Sequence, residues 1–285
     1  MAQIIDGKAI SAQIKEELKE EVSSLKSRGI QPGLAVIIVG SDPASRIYVN
    51  LKKKDCEELG ILSKEYALPK ETTEEELLGL IGELNADPSI NGILVQLPVP
   101  EQIDENKIIA AISPEKDVDA FHAANVGKIM IGSYSFLPCT PAGCMELIAS
   151  TGVDITGKNC VVVGRSNIVG KPMAMLLLHK HGTVTIAHSK TKNLKEVCAA
   201  ADILVAAVGV PKLIKGDMIK PGAVVIDVGT TKMPDGKLCG DVDFEEASKT
   251  ASFITPVPGG VGPMTRVILM KNTVTAAKLQ NKVKI

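Results

Sequence analysis

The sequence predicts an α/β fold of two α/β domains, and three observations carry that expectation. Strand-like apolar runs alternate with helix-period segments almost throughout, the pattern of parallel βαβ units rather than of a sandwich. A length of 285 residues with 45% hydrophobic content is enough for two packed cores. The second half repeats strand, turn and helix more cleanly than the first, so the two halves read as separate units.

In the first half, Leu34–Val39 is apolar without interruption, as a strand buried on both faces should be. A helix is expected from Pro43 to Leu59, with Ser41 or Asp42 as N-cap, Pro43 in the first turn and Gly60 as its stop. A short strand near Lys64–Leu68 follows, then a helix at Thr73–Asn85, where Thr73 and Glu76 have capping-box spacing. Gly92–Leu97 reads as a strand, Gln102–Ile112 as a helix, Ser113–Pro141 as loop and crossover, and Ala142–Ser150 as a helix.

In the second half, strand Cys160–Val163 leads through a glycine-bounded turn into a helix at Gly170–His181. Strand Thr183–Ala187, helix Asn193–Ala200, and strands Ile203–Val208 and Ala223–Val228 follow, with a Gly-rich hairpin or loop at 229–240. Phe253–Thr255 is strand-like, and a final helix begins near Met264. That helix is expected to pack back on the first domain. The predicted boundaries are 1–139 plus 267–285 for the first domain and 140–266 for the second.

Charge and cysteine usage narrow the function classes. Lys+Arg is 32 against Asp+Glu 33, without the basic excess that a nucleic-acid binder normally shows. The six cysteines form no CxxC pair, and they read as buried free thiols in a reducing compartment. The N-terminal segment turns amphipathic and charged within a few residues, unlike a signal or transit peptide, and no run approaches a membrane span. A cytoplasmic protein whose partners are small molecules or other protein surfaces is expected.

The turn Gly164-Arg165-Ser166-Asn167-Ile168-Val169-Gly170 stands where a Rossmann unit has GxGxxG, between a strand and a helix N-terminus that suit a pyrophosphate. Ser166 replaces the second glycine and the third comes one residue late, so an unliganded glycine-bounded turn is the competing reading. After the next strand, where an NAD site usually has Asp or Glu, the chain reads His188-Ser189-Lys190. Without that carboxylate, Arg165, Ser189 and Lys190 suit a 2′-phosphate, which favours NADP. A solvated loop is the alternative for Ser189 and Lys190.

A second constellation lies in the first half. Ser45, Tyr48 and Lys52 fall on one helix face, while Lys53 and Lys54 point elsewhere. A hydroxyl, a ring and an ammonium in line could hold a planar ligand, but an ordinary surface helix has the same pattern. Gln96-Leu97-Pro98 places an amide at the carboxyl edge of a parallel sheet, where ligands usually sit. Asp117 and Asp119 read either as site carboxylates or as turn chemistry. With no companion His or Glu cluster, and with His179 and His181 reading as a helix end, no metal is assigned. Three glycines and three prolines within 256–263 make either a rigid loop or a backbone that a flat ligand can approach closely.

Together these segments resemble the bifunctional methylenetetrahydrofolate dehydrogenase/methenyltetrahydrofolate cyclohydrolase family. The matching pieces are Tyr48-Val49-x-x-Lys52, Ile93-Leu94-Val95-Gln96-Leu97-Pro98, Asp117-Val118-Asp119, Pro138-Cys139-Thr140-Pro141, the Gly164–Pro172 turn, and Pro258-Gly259-Gly260-Val261-Gly262-Pro263-Met264-Thr265. They occur in family order across nearly the whole chain. The resemblance implies tetrahydrofolate one-carbon derivatives bound in a cleft between the domains, and a homodimer. Tyr48 would stack on the folate, Lys52 would be the catalytic lysine, Gln96 would orient it, and Asp119 would bond the pterin edge. Leu97, Pro258, Gly259 and Gly260 would complete the folate site. Arg165 and Ser189 would grip the NADP 2′-phosphate, with Gly164, Ser166, Gly170 and Thr230 as further cofactor contacts. Two departures stand out: Ala120 where the family commonly has glycine, and Arg266 where a β-branched apolar residue is usual. If residue 120 needs positive φ, alanine there costs ~1 kcal/mol.

The activity so implied is NADP-dependent oxidation of 5,10-methylenetetrahydrofolate to the methenyl form, then hydrolysis to 10-formyltetrahydrofolate. Hydride transfer depends on positioning, whereas hydrolysis needs a proton removed from water. A lysine at its reference pKa of ~10.4 is protonated at neutral pH, so Lys52 needs a lowered pKa to be a base, or serves as a donor. An NAD-using dehydrogenase without the hydrolytic step and a non-catalytic nucleotide-sensing dimer are the competing readings.

Overall fold

The computed structural model describes residues 1–283. In chain order the elements are β1 (Gln3–Ile4), α1 (Gly7–Ser27), β2 (Gly33–Val39), α2 (Pro43–Leu59), β3 (Leu62–Leu68), α3 (Glu74–Ala86), β4 (Gly92–Val95), α4 (Glu105–Ala111), α5 (Ala123–Met130) and α6 (Cys139–Ala149). They continue with β5 (Asn159–Val163), α7 (Gly170–His179), β6 (Thr183–Ala187), α8 (Leu194–Ala199), β7 (Ile203–Ala206) and β8 (Val224–Asp227). A short hairpin of β9 (Thr231–Lys232) and β10 (Leu238–Cys239), then α9 (Phe244–Ala247), β11 (Phe253–Ile254) and α10 (Val261–Gln280), complete the chain.

The chain divides into two compact units. One holds Gln13–Leu137 with 269–283, and the other holds Met1–Ala12 with Pro138–Ile268. The boundaries therefore fall inside α1 and α10. Residues 1–12 go with the second unit, not with the first as expected, because β1 extends the larger sheet by pairing with β11.

In the first unit, β3, β2 and β4 form a parallel sheet with β2 at its centre. Every residue of β2 is buried, which is why its sequence shows no alternation. Ala35, Ile37 and Ile93 pack against Leu77 and Ile81 of α3 and Ile108 of α4. Helix α2 has the predicted ends: Asp42 accepts from the Ser45 N–H, and Gly60 takes φ 72° at the C-cap. The capping box at Thr73 and Glu76 is complete. Three expectations are corrected. β4 ends at Val95, two residues early, and α4 is trimmed to Glu105–Ala111 behind the Asp104 cap. The expected loop at 113–141 contains α5, capped by His122.

The second unit is a parallel sheet of order β1-β11-β8-β7-β5-β6. Chain order reverses between β6-β5 and β7-β8, so β5 and β7 flank the topological switch point, where open α/β sheets bind ligands. Val161, Val163, Leu204, Ala206, Val225 and Ile254 supply its core from adjacent strands. Among the described residues no helix is long and apolar enough to cross a membrane. All six cysteines are free, and only Cys239 is not buried. Burial pushes the Cys56 and Cys144 thiols up to about 12, which leaves them unreactive at neutral pH.

Candidate active site

The first unit gathers its chemical groups along the carboxyl edge of its sheet. Helix α2 begins four residues after β2, and Gln96 follows β4 directly. The chain at Asp117 adds a parallel bridge to Ile93, which brings Asp119 to the same edge. On α2, Ser45 and Lys52 are buried at 5% and 9% exposure, whereas Tyr48, on the same face, is 40% exposed. Tyr48 thus offers a ring to solvent, and Lys52 lies sheltered one turn below. Lys53 and Lys54 are exposed, as expected.

The Lys52 ammonium donates to Gln96 Oε1 at 2.9 Å. Gln96 is fixed in turn: its Nε2 donates to the Leu97 carbonyl at 2.8 Å, and its backbone N–H donates to Ile37 O at 2.8 Å. The amide therefore presents its oxygen to the lysine and cannot flip without losing both contacts. One turn further along α2, Asp55 is buried and paired with Lys15 at 2.6 Å. That pairing is not legible in the sequence, since Lys15 is one of many charges on an amphipathic helix.

The two aspartates take different roles. Asp117 is 3% exposed, and its carboxylate accepts from the Phe121 N–H at 3.2 Å, the His122 N–H at 2.8 Å and Asn125 Nδ2 at 2.8 Å. It is the turn-building residue. Burial raises its pKa, opposed by these donors. Asp119 is half-buried and, with Leu97 and Phe121, lines a cavity of about 20 Å³, room for one water. Between the anchors sits Ala120, fully buried with φ 57°, so the position does adopt the left-handed conformation that favours glycine. Asn272 of α10 supports the same turn by donating to the Val118 and Leu137 carbonyls at 2.7 and 2.8 Å. Sequence reading missed Asn272, because nothing distinguishes it from other polar residues on a helix.

In the second unit, Gly164 takes φ 136°, and a Cβ there would lie 2.3 Å from Ala207 O. A Cβ on Gly170 would lie 2.2 Å from Gly164 O. Both glycines are sterically required, whereas Ser166 is not excluded from the middle position. Its hydroxyl closes the turn by accepting from the Val169 and Gly170 N–H groups at 3.1 and 3.2 Å. Arg165 and Ser189 are exposed, each two residues beyond the paired positions Val163 and Ala187, and thus at adjoining strand ends. The His188–Thr191 turn is ordered, with the His188 N–H donating to Thr191 Oγ1 at 2.8 Å and the Lys190 N–H to His188 Nδ1 at 3.1 Å. An exposed guanidinium, a hydroxyl and a helix N-terminus fit a phosphorylated dinucleotide. Thr230 is exposed after β8, next to the buried Gly229. Among the described residues no His, Cys, Asp or Glu cluster could hold a metal.

Two of the three glycines in 256–263, Gly259 and Gly260, are explained by the chain itself, whereas a Cβ on Gly262 would meet nothing within 4 Å. A Cβ on Gly7 would lie 1.9 Å from Gly260 O, and one on Gly260 would lie 2.7 Å from both Thr255 Cβ and Pro256 O. Gly259 takes φ 110°, while Pro258 is exposed. Arg266 is half-buried at the start of α10, and the packing around it rests on the fully buried Met264 and Val267.

Comparison with known proteins identifies the family. Residues 5–119 match the family described as tetrahydrofolate dehydrogenase/cyclohydrolase, catalytic domain, and residues 138–281 match its NAD(P)-binding domain. The chain is 67% identical over 283 residues to the bifunctional protein FolD of Acetivibrio thermocellus, covering 99% of each. It is similar to the crystal structure of the bifunctional FolD of Campylobacter jejuni at 51% identity and TM-score 0.97, covering 99% of this chain and 100% of that one. A second structure, Trypanosoma brucei FolD complexed with NADP cofactor and inhibitor, aligns at 43% identity and TM-score 0.95 over 99% of each chain. The chain belongs to the tetrahydrofolate dehydrogenase/cyclohydrolase family.

Proposed function

We propose that Lys52, aligned by Gln96, carries the proton chemistry of a two-step folate reaction. The chain oxidises 5,10-methylenetetrahydrofolate to 5,10-methenyltetrahydrofolate with NADP, then hydrolyses the product to 10-formyltetrahydrofolate. The observation that supports the role of Lys52 is its 2.9 Å bond to a glutamine that is itself fixed twice.

NADP, when bound, supplies the hydride acceptor. Arg165 and Ser189 hold its 2′-phosphate, the Gly164–Gly170 turn receives the pyrophosphate, and Thr230 is a further contact. Tyr48 stacks on the folate, with Leu97 as a further contact surface, and Asp119 bonds the pterin edge. With the methylene carbon oriented for transfer, no protein acid is needed in the first step. In the second step the oxygen of a water bonds to the methenyl carbon and the water gives up a proton. The N5–carbon bond then breaks and N5 takes a proton, which leaves the formyl group on N10 and releases one proton net. In this reading Lys52 is the group that moves those protons.

A homodimer in the cytoplasm is part of the same reading, supported by the family and by free, mostly buried thiols. The test mixes protein, 5,10-methylenetetrahydrofolate and NADP, and follows NADPH and methenyl-folate absorbance together. NADPH should accumulate while the methenyl signal passes on to product. A methenyl signal that persists at the uncatalysed rate contradicts the hydrolytic half, and equal NADPH and NADH yields with the two cofactors contradict the 2′-phosphate site.

A further inference from the structure

Beyond the residues already assigned, the second unit buries a carboxylate that serves no strand pairing. Asp241 is 0% exposed. Its Oδ2 accepts from the Val208 N–H at 2.6 Å and the Gly209 N–H at 3.0 Å, the two amides that follow β7 by one residue. Its Oδ1 is the one buried side-chain oxygen or nitrogen among the described residues without a hydrogen-bond partner. A buried carboxylate with an unsatisfied oxygen is an expensive way to hold a loop, and a fold has cheaper ones.

The loop that Asp241 holds is placed where it matters for the cofactor. It leaves the carboxyl end of β7, one of the two strands flanking the switch point. The preceding residue, Ala207, donates its N–H to Val163 O at 2.8 Å and presents its carbonyl to the back of Gly164, so closely that a Cβ there would lie at 2.3 Å. The 207–209 loop therefore packs directly against the Gly164–Gly170 turn, at the carboxyl ends of the two strands that flank the switch point. Asp241 is itself held: its N–H donates to Asp227 Oδ1 at 2.9 Å, and Asp227 also receives the Gly229 and Val242 N–H groups at 3.0 and 2.9 Å. The Asp227 N–H donates to Thr255 Oγ1 at 2.8 Å. One buried network thus joins the ends of β7, β8 and β11.

We propose that Asp241 is a positioning residue for the dinucleotide, which sets the β7 side of the cofactor site by fixing the Val208 and Gly209 amides. The proposal rests on reading Gly164–Gly170 as the pyrophosphate turn. The segment after the loop is tied down separately, by Ile214 N–H to Asp241 O at 2.9 Å and Asp243 N–H to Ile214 O at 2.8 Å, so deleting the carboxylate frees the loop without unpairing the strands.

The test compares Asp241→Ala, Asp241→Asn and wild type by steady-state kinetics. Asp241→Ala should raise the KM for NADP and for NAD by about tenfold, the effect of orphaning two amides. The dehydrogenase kcat, and the cyclohydrolase rate on supplied methenyl-folate without NADP, should stay near wild type. Asp241→Asn keeps an acceptor oxygen and should restore the KM to within about threefold. If Asp241→Ala does not fold, Asp241→Glu serves instead, since its longer side chain meets Gly229, whose Cβ position already lies 2.4 Å from Oδ1. An unchanged cofactor KM, or equal losses in both activities, overturns the proposal. Arg165→Ala run in parallel separates the two ideas: if it leaves NADP preference intact while Asp241→Ala raises KM, the 2′-phosphate assignment fails and the loop assignment stands.

Discussion

Substituting Ala120 by glycine and by valine tests how the Asp119 turn tolerates a side chain at φ 57°. An L-residue in the left-handed region costs about 1–2 kcal/mol, which glycine relieves. Glycine forfeits a fully buried methyl, worth about 0.8 kcal/mol, and frees the unfolded chain by a further ~0.4–1 kcal/mol. These terms nearly cancel, so Ala120→Gly should change stability by no more than about 1 kcal/mol, a shift of only a few degrees in Tm. Ala120→Val has no such compensation. A β-branched residue at positive φ is an outlier, and the buried site adds an overpacking penalty of ~1–3 kcal/mol, for a loss of about 3 kcal/mol or more. Urea denaturation followed by circular dichroism measures both. Because Asp117 clamps the turn from Phe121, His122 and Asn125, Asp119 should stay in place, and Ala120→Gly should alter the folate KM by less than about threefold. A stabilisation above 2 kcal/mol, or a tenfold change in folate KM, would show that alanine strains the site, and would refute the reasoning.

Three other outcomes are expected. Arg165→Ala removes a charge-assisted contact and should raise the KM for NADP about tenfold or more while leaving that for NAD nearly unchanged, as read by initial rates with each cofactor. Gln96→Leu removes the acceptor that aligns Lys52 and should slow hydrolysis of supplied methenyl-folate at least tenfold, with circular dichroism as the control for folding. Burial pushes the Asp227 carboxyl up to about 6 from 3.8, so the folded state holds its proton more tightly than the unfolded chain. Its contribution to stability is therefore fully present below about pH 4 and is lost as pH rises through about 6. Stability of wild type relative to Asp227→Asn should fall across that window, and a flat or rising difference contradicts the sign.

Much of the fold was legible because its signals are local. The ends of α2 follow from Asp42, Pro43 and Gly60, and β2 is recognisable because burial on both faces leaves an unbroken apolar run. Elements set by tertiary contacts were not. The two residues of β1 carry no pattern, and only pairing with β11 makes them a strand. Helix α5 hides in a polar stretch because its start is fixed by the Asp117 carboxylate and the His122 cap rather than by hydrophobic period.

The site divides in the same way. That Tyr48 and Lys52 share a helix face was legible from their spacing, and that Gln96 follows a strand from the apolar run before it. Asp117 and Asp119 were indistinguishable in sequence, since burial and three donors, not residue type, make the first a turn builder. Ser166 looked like a fault in a glycine motif, yet its hydroxyl completes the turn. The glycines of the last loop looked like room for a ligand, whereas Gly260 is required by Thr255, Pro256 and Gly7. Asp241 gave no signal, because its partners are backbone amides 32 and 33 residues away.

The most direct test of the central claim is Lys52→Met, which keeps the length and apolar stem of the side chain and removes the ammonium bonded to Gln96. Both activities are measured on the same folded preparation: NADPH formation from methylene-folate, and loss of methenyl-folate without NADP. Hydrolysis should fall to the uncatalysed rate while a measurable part of the dehydrogenase rate survives. Equal loss of the two activities in folded protein, or hydrolysis at the wild-type rate, would contradict Lys52 as the residue that carries the second step.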